Sequence, residues 1–526
     1  MTLERLRALA VRGLRAVRAL FWALFAPLRN EGRGYRSPWI LVLGILLILS
    51  WQRGLMNAPV HRDEALKLTA STGVHDEPRF FFQLFHTGLY PLVSTGQLRE
   101  DTSAEALRQL HEAPGELAMD SLVTFRSGDR GRVFLYFPDA LWFRRHAEVP
   151  RLRPAHALAW MASLCVLFAG FWAARRPILG AIIVAFVGSS AFALHHVYWE
   201  ENVFCWPFIA LAATLGLHAP LLDGRPPARW VPWGVAALTG LLLGAIRTVR
   251  SEPVALLASA AMVYLALRGS WARRVALVVT LVGIFSVTSA AYARFFVANS
   301  AQVAQVLRAV GGVPYTGPVE PFHEFWHPVW CGLGDFDAKY GFAWDDRQAY
   351  RYALPILEAR AGRRLDLDTA HGNQSSSYDG AGRYPRFFSE TPGYHQVIRE
   401  RVLTAIREDP RWYGTILLQR AQRILRETTP VQLAWGAERK RFTRSWVGWG
   451  SLALLAALSL RRDGPSVRLL LFSTPLSLNA WLIYSGGGLT LYSAFHLVAA
   501  AIVAYGALRA LSAAVRFGYT VAPTVD

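Results

Sequence analysis

Cysteine is nearly absent from this chain, with three in 526 residues. Cys165 and Cys205 fall inside apolar runs, which leaves Cys331 alone outside them, so no disulfide framework can form. Lysine is equally scarce. Only Lys67, Lys339 and Lys440 occur, so the net charge of +19 is carried almost wholly by arginine. A GC-rich genome is the plain account of that bias. There is no internal repeat and no low-complexity tract, and charges are few within the apolar runs away from their ends. No secretory cleavage pattern is expected near the N-terminus.

What is abundant is apolar surface: 53% of residues are hydrophobic and 13% aromatic. The apolar residues come in blocks of about 17–23, the length that crosses a bilayer core as a helix. Lipid cannot hydrogen-bond to backbone groups, so such blocks must be helical. Ten are read, at roughly 38–53, 154–174, 177–197, 202–222, 230–247, 252–268, 275–296, 445–460, 468–485 and 489–511. The expected fold class is an α-helical polytopic membrane protein with about ten transmembrane helices and periplasmic insertions, mixed α/β or mostly helical.

Charge supplies the orientation. Residues 1–37 carry Arg5, Arg7, Arg12, Arg15, Arg18, Arg29, Arg33 and Arg36 against Glu4 and Glu31. The positive-inside rule then puts the N-terminus in the cytoplasm. Alternate short loops agree: Arg175-Arg176, Arg225 with Arg229, Arg268 with Arg273-Arg274, and Arg461-Arg462 with Arg468. Much of the positive charge therefore faces anionic lipid, and nucleic acid is excluded as a partner. An even number of spans returns the C-terminus to the cytoplasm. The expected division is a basic amphipathic helix on the inner leaflet (1–37), a first span (38–53), a long first periplasmic loop (54–153), spans two to seven (154–296), a periplasmic domain (297–443), spans eight to ten (444–511) and a cytoplasmic tail (512–526). The first loop holds a helical pattern from Ser103 to Glu116 and a β-like run from Arg132 to Phe137. The later domain turns helical from Tyr394 to Arg426, with a break at Asp409-Pro410.

Six constellations could carry chemistry. Asp63-Glu64 follows the first span by about ten residues, at a depth where a water-soluble acceptor meets a lipid-borne donor. One reading is a general base or metal ligand; the other is an interfacial first helical turn, which favours acids. Glu200-Glu201 stands at the mouth of the fourth span, where carboxylates must be paired or hydrated, or again begin a helix. Arg247, Arg250 and Glu252 lie on an external turn, where arginine is unusual. A guanidinium there suits a phosphate, and an Arg250–Glu252 ion pair is the alternative.

His323-Glu324-Phe325-Trp326-His327 fits the H-E-x-x-H pattern of zinc proteases. Pro321 and Pro328 flank it, and a proline just after the second histidine is expected to end a helix there. The match is therefore read as accidental or non-proteolytic, with His323 and His327 kept as substrate or metal ligands. Gly332 to Gly341, followed by Trp344-Asp345-Asp346, reads as a carbohydrate-facing loop. A Ca²⁺-like use of Asp335, Asp337, Asp345 and Asp346 lacks the EF-hand spacing. Tyr492 and His496 open the last span and either contact a lipid head group or anchor it in the aromatic belt.

Taken in order, these segments resemble the GT-C superfamily of polyprenyl-phosphate-dependent glycosyltransferases, which includes protein mannosyltransferases and lipid A aminoarabinose transferases. Asp63-Glu64-Ala65 resembles its first-loop Asp-Glu signature. Glu200-Glu201-Asn202-Val203-Phe204 resembles its acidic start of an early span. Gly240 to Arg247, with Arg250-Ser251-Glu252-Pro253, resembles its glycine-rich helix ending in an Arg-Pro-Glu-like turn. Asp409-Pro410-Arg411-Trp412-Tyr413 resembles the segment before its last spans. Tyr492 is preceded by Leu491 where many members carry Arg-Tyr.

The resemblance implies a polyprenyl-phosphate-linked sugar donor and a glycan, lipid or protein acceptor. It implies Asp63 as base with Glu64 beside it, and Arg247 or Arg250 neutralising the departing phosphate, with inversion at the anomeric carbon. Members differ in whether they need a divalent metal, so no cofactor is assigned and a divalent metal stays open. The implied location is the bacterial inner membrane. The competing classes are a transporter or flippase for a lipid-linked glycan, a non-catalytic component of an envelope polysaccharide system, and a membrane zinc protease.

Overall fold

The computed structural model describes residues 37–56, 154–190, 205–222, 228–309, 325–362, 364–365, 391–426, 464–483 and 497–512. It also describes short pieces at 92–93, 123–124, 137–138, 193–194, 432–435, 438–441 and 453–454, and the single residues 141, 145, 197 and 457. The described residues are mostly helical. They form two apolar cores, one in a bundle of apolar helices and one in a small helical domain.

The bundle contains α1 (Pro38–Met56), α2 (Pro154–Ala173), α3 (Pro177–Gly188), α4 (Trp206–Leu222), α5 (Val231–Ile246), α6 (Leu256–Leu265) and α7 (Trp271–Ala309). Among the described residues, three helices are long and apolar enough to cross a membrane: Pro38–Met56, Ala155–Ala173 and Trp271–Ala298. The first and third of these have exposed apolar faces, with Leu47 60% and Val287 70% exposed. Contiguous apolar surface of this kind is what lipid covers. By contrast α4 is buried along nearly its whole length.

Several expected spans are shorter or longer than the apolar runs. The third run, to residue 197, keeps its first helix only as far as Gly188, breaks at Ser189-Ser190 and is helical again at 193–194 and 197. The sixth begins as a 3-10 turn, Glu252–Ala255, with Pro253 in its first turn, where no backbone donor is needed. The seventh continues to residue 309, so its 39 residues reach about 58 Å at 1.5 Å per residue. That length exceeds a bilayer core of about 30 Å, so the polar end after Ala298 projects past it.

Close backbone approach holds the bundle. A Cβ on Gly170 of α2 would lie 1.8 Å from the Gly216 carbonyl oxygen of α4. Gly240 and Gly244 of α5, spaced as G-x-x-x-G, would put theirs 2.7 Å from the Leu281 carbonyl oxygen and 2.8 Å from Thr288 Cβ of α7. Small residues let helix backbones meet where lipid offers no hydrophobic drive between helices. Polar side chains add cross-links: Gln52 Nε2 donates to the Gly188 carbonyl at 2.9 Å and Gln52 Oε1 accepts from Trp160 Nε1 at 3.2 Å.

The second core belongs to α8 (Trp326–Leu333), α9 (Asp346–Ala361), α10 (Tyr394–Glu408) and α11 (Pro410–Arg426). Trp330, Phe342, Tyr350, Tyr394 and Ile398 fill it. Burying each such side chain contributes about 1.5–3 kcal/mol. The expected break at Asp409-Pro410 separates α10 from α11. Asp409 Oδ1 accepts from the Trp412 backbone N–H at 2.9 Å, and Pro410 opens the new helix.

Chain returns to the bundle through α12 (Gly464–Leu482) and α13 (Leu497–Ser512). Two antiparallel ladders complete the described residues. Leu92 and Val93 pair with Thr124 and Val123, and Gln432–Trp435 pairs with Glu438–Arg441. Phe137, the end of the β-like run, is helical. The rest of that run and the Ser103 to Glu116 pattern lie outside the described residues.

The two cores are bolted together at one point. Arg420 of α11 donates through Nε to Asp335 Oδ2 at 2.8 Å, and both side chains are fully buried. Its Nη1 donates to the carbonyls of Trp481 and Leu482, each at 3.1 Å. Those are last-turn carbonyls of α12, which have no partner within their helix and carry its negative dipole end. Trp481 Nε1 answers by donating to the Leu417 carbonyl at 2.7 Å.

Candidate functional site

α5 ends at Ile246, and the three residues singled out on the following turn behave differently. Arg250 is ion-paired with Glu252, both side chains mostly buried. The ion-pair reading of this pair is therefore the one that forms. Arg247 is exposed, with its guanidinium 5.8 Å from the Phe285 ring centroid. Among the described residues it has no carboxylate partner. The 3-10 turn that carries Glu252 packs against α12. This turn is thus on the end of the bundle where the helical domain docks.

Within the domain, three helix starts converge on one imidazole. His327 is in the first turn of α8, Asp346 opens α9 and Tyr394 opens α10. His327 Nδ1 lies 2.6 Å from the Tyr394 hydroxyl and Nε2 lies 3.0 Å from Asp346 Oδ1. Tyr350 stacks on the ring with centroids 5.5 Å apart. Cys331, one turn along α8, places Sγ 3.9 Å from Nε2 and 3.6 Å from Asp346 Oδ1. Burial pushes the Cys331 thiol up from its ordinary range, and the Asp346 carboxylate adds to the rise. Among the described residues, His327, Cys331 and Asp346 are the group whose ligand atoms lie close enough together to hold a metal.

Two expectations about this stretch need correction. Pro328 does not end a helix after His327. It sits in the first turn of Trp326–Leu333, where a missing backbone donor costs no hydrogen bond. The described helix begins at Trp326, and His323 of the H-E-x-x-H match lies outside the described residues. The shared calcium-type use of four aspartates fails as well. Asp335 pairs with Arg420, Asp337 accepts from Trp412 Nε1 and Asp345 caps α9, leaving Asp346 with His327.

The carbohydrate-like loop keeps Trp344 exposed, while Tyr340 packs edge-on against Trp412. Lys339 and the Tyr340 hydroxyl both donate to Asp409, at 2.7 and 3.1 Å. The Lys339 hydrogen bond and the Trp412 backbone N–H hold the Asp409 carboxyl down at about 2.

Asp63, Glu64, Glu200, Glu201, His323, Tyr492 and His496 lie outside the described residues. Sequence reasoning missed Cys331, Asp346 and Tyr394 as partners of His327. The four-residue spacing of His327 and Cys331, which puts both on one helix face, was the available signal. Arg420 carried no such signal.

No family model matches the chain, and no curated protein or solved structure matches it.

Proposed function

We propose that the protein is a membrane glycosyltransferase of GT-C type, with about ten spans and both termini cytoplasmic in a bacterial inner membrane. It moves a sugar from a polyprenyl-phosphate donor to an acceptor on the periplasmic side. The observation that carries this reading is Arg247, an exposed guanidinium that meets no carboxylate among the described residues, at the end of a glycine-packed helix. Such a group at head-group depth is fit to bind a lipid phosphate through two hydrogen bonds. Its charge opposes the negative charge that grows on the departing phosphate.

Asp63 then takes the proton of the acceptor hydroxyl, and the alkoxide displaces the lipid phosphate with inversion. Glu64 assists Asp63 in catalysis, and Glu200, Glu201, Tyr492 and His496 bind substrate in this reading. The Arg250–Glu252 pair fixes the turn that presents Arg247. The helical domain holds the acceptor, with Trp344 as a stacking surface for a sugar ring.

A second reading, a transporter or flippase for a lipid-linked glycan, draws on the short helix Pro177–Gly188 and the 3-10 start of the sixth span, since transporters use interrupted helices. One assay separates the two. Purified wild type, Asp63→Asn and Arg247→Ala are given a panel of labelled polyprenyl-phosphate sugars in membrane extract. Transfer of label by wild type, lost in Asp63→Asn and lowered about 10²–10³-fold in Arg247→Ala, is the expected result. Label that crosses vesicle membranes while staying on its lipid supports the transporter. Equal transfer by wild type and Asp63→Asn removes the base from Asp63.

A further inference from the structure

The geometry points to a zinc-type divalent metal site at His327, Cys331 and Asp346, independent of the transfer reaction proposed above. The three ligand atoms are separated by 3.0, 3.6 and 3.9 Å. Tetrahedral coordination with bonds of about 2.0–2.3 Å requires edges of roughly 3.3–3.8 Å. The observed triangle therefore needs shifts of only a few tenths of an ångström to close on one ion.

A hydrogen-bonded core histidine is the plain alternative, and it explains Tyr394 and Asp346. It does not explain Cys331. A thiol is a weak hydrogen-bonding group and adds little to a Tyr–His–Asp chain. As a soft ligand converging with an imidazole nitrogen and a carboxylate oxygen, it completes a set that zinc prefers.

The surroundings agree. His327 and Cys331 are four residues apart on one face of α8, and Asp346 is held by the α9 N-terminus. Tyr394 at Nδ1 fixes the ring so that Nε2 is the coordinating atom, the usual role of an outer partner of a metal-bound histidine. One thiolate and one carboxylate neutralise a divalent ion, as a buried site demands. The N-terminus of α9 favours the Asp346 carboxylate. His327 and Cys331 are buried, whereas the Asp346 side chain is 38% exposed, so a fourth ligand, water, enters from that side. Binding proceeds as Cys331–SH plus M²⁺ giving Cys331–S–M⁺ and one H⁺.

The test uses the full chain in detergent, purified without a histidine tag and dialysed against Zn²⁺ or Co²⁺. We expect one tightly held metal per chain and, with cobalt, a thiolate-to-metal charge-transfer band. Cys331→Ala abolishes both while its thermal unfolding without added metal matches wild type. Tyr394→Phe weakens affinity about 10–100-fold. A measurement on wild type alone guards against misfolded variants: zinc slows alkylation of Cys331, read by peptide mapping, relative to metal-free protein. No retained metal, equal retention by folded Cys331→Ala, or unchanged alkylation overturns the site.

Discussion

The two ends of the apolar bundle treat arginine in opposite ways. At the end that carries the helical domain, Arg420 is buried against Asp335, and Arg250 is paired with Glu252. At the other end Arg268, Arg273, Arg274 and Arg468 line a crevice of about 240 Å³ between Leu221, Pro232, Leu277 and Phe472. There Arg273, Arg274 and Arg468 donate only to backbone carbonyls, of Arg229, of Leu265 and Gly269, and of Leu222. None of the four meets a carboxylate among the described residues. Uncompensated cations at one end suit a leaflet rich in anionic lipid. At the other end Arg420 and Arg250 are held by protein carboxylates, and Arg247, which meets none among the described residues, is the group proposed to bind phosphate.

The sharpest way to break this contrast is at Arg420. Arg420→Ala leaves Asp335 buried and charged, so unfolding in detergent should drop by about 3–5 kcal/mol. Arg420→Met with Asp335→Leu should recover most of that loss. The next largest effect is expected within the bundle. Gly170→Leu drives α2 from α4 and should cost about 1–3 kcal/mol in the same measurement, whereas Gly54→Leu, which meets nothing within 4 Å, should be near neutral.

Smaller still is the acid response of Asp409. Its folded value of about 2 lies below the ordinary 3.8, so its stabilisation is complete above pH 4 and is lost as pH falls toward 2. Asp409→Asn should lower stability at neutral pH and flatten the stability profile between pH 4 and 2, read from unfolding midpoints across that range. At the crevice end, Arg468→Gln should change stability by less than about 0.5 kcal/mol. It should instead weaken retention of anionic lipid in native mass spectrometry.

The starts of most helices and the two-core division were legible in the sequence, because apolar runs and Pro punctuation are local. Pro38, Pro154 and Pro177 open helices, and Asp409-Pro410 separates two. Helix ends were less legible. The third run was read as one span to residue 197, so its break at Ser189 left no mark in hydropathy, and the polar continuation of α7 past Ala298 fell in the expected periplasmic domain. The site was legible in parts only. Arg250 and Glu252 are two residues apart, and their pairing was one of two stated readings. His327 was flagged through the H-E-x-x-H match, whose first histidine lies outside the described residues. Its true neighbours come from positions 19 and 67 residues away. Arg420 and Asp335 are 85 residues apart and meet only through the fold.

The most direct test of the contrast between the two ends is sidedness. Ser251 and Ser270 are both exposed, on the carboxylate-paired end and the crevice end respectively. Ser251→Cys and Ser270→Cys would each be treated with a membrane-impermeant maleimide in right-side-out vesicles. Labelling of Ser251→Cys in intact vesicles, with Ser270→Cys labelled only after permeabilisation, is the result this account requires. The reverse pattern, or labelling of both in intact vesicles, contradicts it.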